Sequence, residues 1–534
     1  MLLADGRDWT TLHHLSTTVP STASFYVPYL PGLHQDTTHP LHIYAGHILP
    51  DPDADSAAST DVLAHLFFVM VKARRSANKE RLIFWFNGGP GCSSFDGLMM
   101  EIGPWRADEE GGLKIARGGW NEYTTMVYVD QPAGTGFSYT NTNNYVHSIQ
   151  QATDQLMEFL RTFYKVFPEY ETVDTYLGGE SFAGQYIPYF ADAILSSELK
   201  MHLRGAAIGN GWTDACNQYP SYLDYAVMHG LVDESSQHYK DSKEESNRCI
   251  DEFRGVTMEP IHTNQCESLL MFILKSKSRT VDGQSKCPFC GLQWPPELHN
   301  ISSYLNRRDV VRALHAEDKP ESWVECSGRV SDELHECLSP SSITLLPSVL
   351  EKIPVLLFAG DQDYICNYMG IENMIKSMTW NGKKGLGKVQ TTSWTVDGTP
   401  AGTWVSSRNL TYAKLFNASH MAPYDVPDVA YDMILRFMGM DFSAIVDGSA
   451  RIPSAIKFCI WERDITVPLN QVFSTMSAEN RTANMDCLSN AFYDGETDFR
   501  TRQALSGIIV IILFKMQVSL QPCIHNRGLT HETV

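Results

Sequence analysis

The chain has 534 residues, of which 43% are apolar and 11% aromatic, so it can bury a large core in one big α/β domain with insertions or in two or three modules. That content argues against extended disorder. A formal net charge of -20 argues against a nucleic-acid partner, which calls for a basic face to neutralise phosphates, and suits a soluble surface that concentrates basic peptides.

Residues 1–39 form an N-terminal segment whose first 30 residues lack the basic n-region and apolar h-region of a signal peptide. Over 40–211, apolar runs alternate with helical stretches: HLFFVMVKA, RLIFWFNGG, TTMVYVD, the amphipathic IQQATDQLMEFLRTFYKVF, TYLGGES and LRGAAIGNG. This rhythm predicts a mostly parallel sheet covered by helices. Across 212–303 polar, Cys-bearing helical sequence replaces the strand signal and predicts an insertion that caps the sheet. Strand signals return over 304–447 in KIPVLLFAG and LTYAKLFNAS, and the helix DVAYDMILRFM follows, completing the α/β core. Residues 448–534 are a C-terminal extension without periodicity that demands a place in the core. Its run ALSGIIVIILFKM is short of the roughly 20 apolar residues that span a membrane, which leaves a truncated anchor and a buried tail both open.

Ser181 lies between a short strand and a helix-like segment in TYLGGESFAGQYIP, the layout of a nucleophile elbow. Such a turn needs small residues two before and two after the serine, and Gly179 and Ala183 supply them. A nucleophilic serine needs a base and a carboxylate to orient that base, in the chain order Ser, Asp, His for this architecture. Asp361 and Asp363 follow one downstream strand, and His420 follows the next. The rival histidines His229, His315 and His335 lack that context. The loop Asn87-Gly88-Gly89-Pro90-Gly91-Cys92-Ser93-Ser94 can bring backbone N–H groups close to an oxyanion. A phosphate loop would need a Gly-Lys-Ser/Thr that is missing here.

Twelve cysteines in a chain with the glycosylation sequons at Asn300, Asn409, Asn417 and Asn480 point to an oxidising compartment. Cys287-Pro-Phe-Cys290 could be half of a zinc site or a redox motif, but no second pair of ligands and no thioredoxin-like pattern accompanies it, so no metal is expected. Cys249, Cys266, Cys287 and Cys290 instead suit two disulfides stapling the insertion, with their connectivity open.

FNGGPGCSS, GESFAGQYIP, GDQDYICN and NASHMAP, in this order and spacing, resemble the four signature blocks of the serine carboxypeptidases over roughly residues 40–440. MEIGPWR, DQPAGTGFSY and WVEC are most similar to the fungal pheromone-processing carboxypeptidases, which trim C-terminal Lys and Arg after an endoprotease has cut at dibasic sites. The resemblance implies an α/β-hydrolase fold with a mostly parallel central sheet and a helical, disulfide-bearing capping insertion. It implies Ser181 as nucleophile, His420 as base and Asp363 as the orienting carboxylate, with Asp361 structural. The N–H groups of Gly89 and Phe182 would form the oxyanion hole. Asn87, Gly88 and Glu180 would bind the substrate's terminal carboxylate, with Glu101 paired to Glu180 and Trp85 in the same network. It further implies a Cys92–Cys326 disulfide and an unpaired Cys366 near the site.

The implied enzyme needs no cofactor and acts on peptide and precursor-protein C-termini in the secretory pathway, at the trans-Golgi membrane. Met421, beside His420, supplies no charge for a basic leaving residue, so an acidic pocket would come from the insertion, where Asp233, Glu234, Glu244, Glu245, Asp251 and Glu252 cluster. The alternatives are an apolar C-terminal preference, an acyltransferase or esterase using the same triad, and a non-catalytic glycoprotein. Asn87, Glu101 and Glu180 argue for peptide-carboxylate recognition.

Overall fold

In chain order the main sheet takes β1 (Tyr26–Val27), β2 (Ile43–Ile48), β3 (Ala64–Val71), β4 (Arg81–Phe86), β5 (Thr125–Asp130), β6 (Asp174–Glu180), β7 (Leu203–Gly209), β8 (Val355–Gly360), β9 (Thr392–Val396), β10 (Thr399–Ser407) and β11 (Leu410–Leu415). These belong to a computed structural model that describes residues 19–440 except 36–38, 49–63, 76–78, 117, 141–144, 257–259, 276–294, 296 and 336–338. The strands lie in the order β1-β2-β3-β5-β4-β6-β7-β8-β11-β10-β9, with Tyr139–Thr140 pairing β3 off this path. From β5 to β11 every neighbouring pair is parallel. The strands on either flank are antiparallel. Parallel strands end at one edge, so the loops after β4, β6, β7, β8 and β11 converge there.

Alternation along the central strands feeds two cores. In β4, Leu82, Phe84 and Phe86 face one cluster and Ile83 and Trp85 the other. Both faces being covered, these strands read as unbroken apolar runs. On the first face α1 (Ile149–Val166) starts where Ser148 Oγ accepts the Gln151 N–H at 3.1 Å, which satisfies one of the helix's free amides. Its Phe159 and Phe163 rest on Phe68, with ring centroids 6.0 and 5.9 Å away. Phe163 is fully buried, and Phe163→Ala would cost about 3–5 kcal/mol through lost burial and the cavity left behind. α2 (Ala183–Ser196) packs beside α1.

The insertion contributes the helix Ser221–Met228, then α3 (Gln237–Glu252) and α4 (Asn264–Lys275), which a Cys249–Cys266 disulfide joins. Cys287 and Cys290 lie outside the described residues. On the second face α5 (Pro427–Phe437) buries Tyr431, Met433 and Ile434. The β9–β10 hairpin extends the sheet beyond the strands legible in the sequence. Its turn, Asp397-Gly398, has both residues at positive φ, and only Trp394 and Val396 of β9 are buried. An edge strand half open to solvent carries too few apolar residues to announce itself.

Asn300 is half-buried, Asn409 and Asn417 are exposed, and Asn480 lies outside the described residues. Asn409 Nδ2 donates to the Leu350 carbonyl at 3.0 Å, so this amide has a structural bond of its own. Among the described residues no helix is long and apolar enough to cross a membrane, and the C-terminal apolar run lies outside them.

Candidate active site

Ser181 follows the last residue of β6 and precedes α2, with φ of 59°, a left-handed conformation that costs a non-glycine residue about 1–2 kcal/mol. Three bonds hold it: its N–H donates to Gly209 O at 3.0 Å, and its carbonyl accepts from Trp212 N at 2.8 Å and Gly184 N at 2.9 Å. A Cβ on Gly179 would sit 2.3 Å from Phe86 O, and one on Gly184 would sit 2.5 Å from Trp212 O. Small residues around the serine are therefore required by the close approach of β4 and the β7 loop.

Asp363 comes three residues after β8, and His420 five residues after β11. Since β6, β7, β8 and β11 are consecutive neighbours, the loops carrying Ser181, Asn210, Asp363 and His420 stand side by side, about 4.8 Å per strand step. Asp363 is fully buried and takes four donors: His420 Nδ1 at 2.9 Å, Asn210 Nδ2 at 2.7 Å and the N–H groups of Ile365 at 2.9 Å and Cys366 at 3.1 Å. With Nδ1–H engaged by Asp363, Nε2 of a neutral His420 is an acceptor, the tautomer a base requires. Burial pulls the His420 imidazole down, but the Asp363 charge and hydrogen bond, with Glu101 behind them, outweigh it and hold its pKa above the ordinary value. Asp361 Oδ1 accepts Asn417 N at 2.8 Å and ties the two loops together.

Ligand atoms of Asp363, Cys366 and His420 lie within 4.8 Å of one another, the group among the described residues that a metal ion could share. Both Asp363 oxygens and His420 Nδ1 are already engaged in hydrogen bonds, and Cys366 is an unbridged, buried cysteine whose thiol is pushed up by burial and by Asp363, which keeps it neutral. That donor set suits a proton relay better than a metal.

The glycine-rich loop leaves β4 against the elbow, where a Cβ on Gly88 would lie 2.4 Å from Phe182 N. Gly89 has φ of 106°, and neither its amide nor that of Phe182 donates to a protein acceptor among the described residues. The Cys92–Cys326 disulfide, together with Ser93 N to Glu325 O at 2.7 Å and Ser327 N to Gly91 O at 2.8 Å, anchors this loop.

Behind it Asn87 Oδ1 accepts Trp85 Nε1 at 2.8 Å and Gly97 N at 3.1 Å, which orients its amide. Nδ2 then donates to Glu180 Oε1 at 2.9 Å and Glu101 Oε1 at 3.5 Å. Both glutamates are buried. Burial, the Glu101 charge and hydrogen bond, and the Asp96 and Asp363 charges hold Glu180 well above the usual carboxylate range. Glu101 is raised by burial, against the opposing pull of Glu180, Asn87, His420 and Arg106. Glu101 Oε2 is buried without a hydrogen-bond partner, and a hydrogen bond to Glu101 is among the causes that raise Glu180. Asp96 and Glu325 repeat the theme nearby. Each has a buried oxygen without a donor, and burial raises both, Asp96 well above the ordinary value with Glu325 as the next contributor.

The family model for serine carboxypeptidase matches residues 31–440. The pheromone-processing carboxypeptidase KEX1 of Coprinopsis cinerea is 56% identical over 455 residues, covering 82% of this chain and 74% of that protein. The chain belongs to the serine carboxypeptidase family. The pheromone-processing carboxypeptidase KEX1 of Puccinia graminis f. sp. tritici is 45% identical, with 82% and 69% covered. Among solved structures, the prohormone-processing carboxypeptidase KEX1(delta)p of Saccharomyces cerevisiae matches with a TM-score of 0.72 and 32% identity, covering 79% of this chain and 96% of that one. The protein is thus a serine carboxypeptidase on an α/β-hydrolase fold, a hydrolase of peptide C-termini.

Several residues of this carboxypeptidase's site were not legible in the sequence. Asn210 and Asp96 sit in a Gly-Asn-Gly turn and after a serine pair, where nothing local distinguishes a buried polar group from a solvated one. Beside the loop that carries His420, Tyr424 donates to Glu297 Oε2 at 3.1 Å. Of the acidic cluster in the insertion, Asp233, Glu234, Glu244, Asp251 and Glu252 are exposed, and Arg248 and Arg254 pair with Glu244, Glu245 and Asp251. That cluster is a solvated surface of α3 and the turn before it.

Proposed function

We propose that this carboxypeptidase releases C-terminal Lys or Arg from peptides and precursor proteins of the secretory pathway, through an acyl-enzyme on Ser181 at acidic pH. His420 takes the Ser181 proton as Oγ attacks the last peptide carbonyl, and Asp363 orients the imidazole and stabilises the imidazolium. The Gly89 and Phe182 amides receive the oxyanion. His420 returns the proton to the leaving amino acid, and water then frees the acyl group by the same steps in reverse. The observation that carries this reading is the buried Asn87–Glu101–Glu180 cluster adjoining Ser181. A carboxyl that keeps its proton at mildly acidic pH can donate to the substrate's terminal carboxylate, and Asn87 and the Gly88 N–H add neutral donors. Incubating a blocked peptide at about pH 5, where such a pair holds its proton, should give stepwise loss of C-terminal residues by mass spectrometry. An intact peptide would refute the reading.

The basic preference rests on the resemblance to processing enzymes and on Glu297, the carboxylate tied to the helix that follows His420. A charge-assisted bond to the leaving side chain is worth about 2 to 3 kcal/mol, so kcat/KM should favour Arg or Lys over Leu by roughly a hundredfold. Glu297→Gln should remove most of that ratio. The competing reading, an apolar preference, draws on the buried Met421 beside His420. A higher kcat/KM on Leu or Phe peptides would favour it.

A further inference from the structure

Asn210 directly follows β7, the strand between those of the nucleophile and the acid. It is fully buried with φ of 41°, and its N–H donates to Phe358 O at 2.7 Å. Gly360 N donates to Oδ1 at 3.2 Å, which fixes the amide so that Nδ2 points at the carboxylate of Asp363. Besides His420, Asn210 is the side chain that donates to Asp363 among the described residues.

The donors on Asp363 are unevenly shared. Oδ2 takes His420 Nδ1 at 2.9 Å, Cys366 N at 3.1 Å and Asn210 Nδ2 at 2.7 Å, whereas Oδ1 takes Ile365 N. Asn210 therefore competes with the imidazole for one oxygen, and its bond is the shortest of the three. We infer that Asn210 is a positioning residue that locks the Asp363 carboxylate and drains charge from the oxygen facing His420, so that the base stays unprotonated to lower pH than an Asp–His pair alone permits. An enzyme working in acid needs such a counterweight, because Asp363 and Glu101 both favour the imidazolium. The other titratable groups facing the pair are Glu180 opposite Asp363, and the Cys366 thiol and Tyr225 hydroxyl, which burial keeps neutral.

This inference rests on the proposed triad, and its test separates the two. A fluorophosphonate probe labels an activated serine without needing a C-terminal carboxylate, so the pH dependence of labelling reads the base apart from Glu101 and Glu180. Asn210→Gly suits the positive φ and removes only the side chain, and Asn210→Ser is a second variant whose hydroxyl is too short to reach Asp363. Labelling at the alkaline plateau should slow roughly tenfold in each, and kcat on a peptide should fall with it while KM stays within about twofold. The acid limb of labelling should move up by roughly half a pH unit or more. An acid limb shared with the wild type in whichever variant folds overturns the inference alone. A wild-type protein left unlabelled at Ser181 overturns the triad reading and the inference with it.

Discussion

The two sides of the site bury carboxyl groups in opposite ways. Asp363 has no exposed surface, yet four N–H groups converge on its two oxygens. Among Glu101, Glu180, Asp96 and Glu325, by contrast, three buried oxygens lack a donor. Burial alone does not decide whether a carboxyl keeps its charge. The ratio of donors to oxygens also matters, and in the proposed mechanism it gives proton transfer to one side and proton-dependent recognition to the other.

The largest effects should come from breaking the well-donated side. Ser181→Ala and His420→Ala should each cut kcat by on the order of 10⁵ or more, since neither partner works alone, and Asp363→Asn by about 10⁴ through the wrong imidazole tautomer. Asp361→Asn should leave kcat within about tenfold of wild type, because its bond to Asn417 N ties loops and touches no reacting group. Turnover of one blocked peptide by folded variants checks all four.

A smaller effect is expected from neutralising the poorly donated side. Glu101→Gln with Glu180→Gln should raise KM for free-acid peptides at acidic pH roughly tenfold and flatten its pH dependence, with kcat changing less. An unchanged KM–pH profile would remove the shared proton from recognition.

The smallest and most diagnostic effect is on stability. Glu180 binds its proton more tightly in the folded state than its ordinary value of 4.5, so between that pH and its higher folded value the native state holds more protons than the unfolded one. Stability from this group is present below about 4.5 and lost as pH rises through the folded value, with a slope of at most about 1.4 kcal/mol per pH unit. Melting curves from pH 4 to 8 should show that decline in wild type and a shallower one in Glu180→Gln; equal slopes would contradict it.

Part of this comparison was legible in the sequence. RLIFWF, TMVYVD and VLLFAG announce buried strands because both faces are covered, and the glycine and alanine around Ser181 announce a tight turn. The β9–β10 hairpin did not announce itself, being polar on its open face. Asn210 was equally silent, since a Gly-Asn-Gly at a strand end reads as a turn until the neighbouring strand brings Asp363 within 2.7 Å. Asp96 and Glu325 are far apart in sequence, and their mutual influence arises only once the loop beside the Cys92–Cys326 disulfide is in place. The Cys249–Cys266 pairing likewise depends on how α3 and α4 pack.

The most direct test of carboxylate recognition by a protonated pair is kcat/KM on two peptides ending in Arg, one a free acid and one amidated, measured from pH 4 to 7. The free acid should be cleaved faster by roughly a hundredfold or more at pH 5, with that advantage shrinking as rising pH strips the pair of its proton. Equal rates on the two peptides across the range would contradict the account.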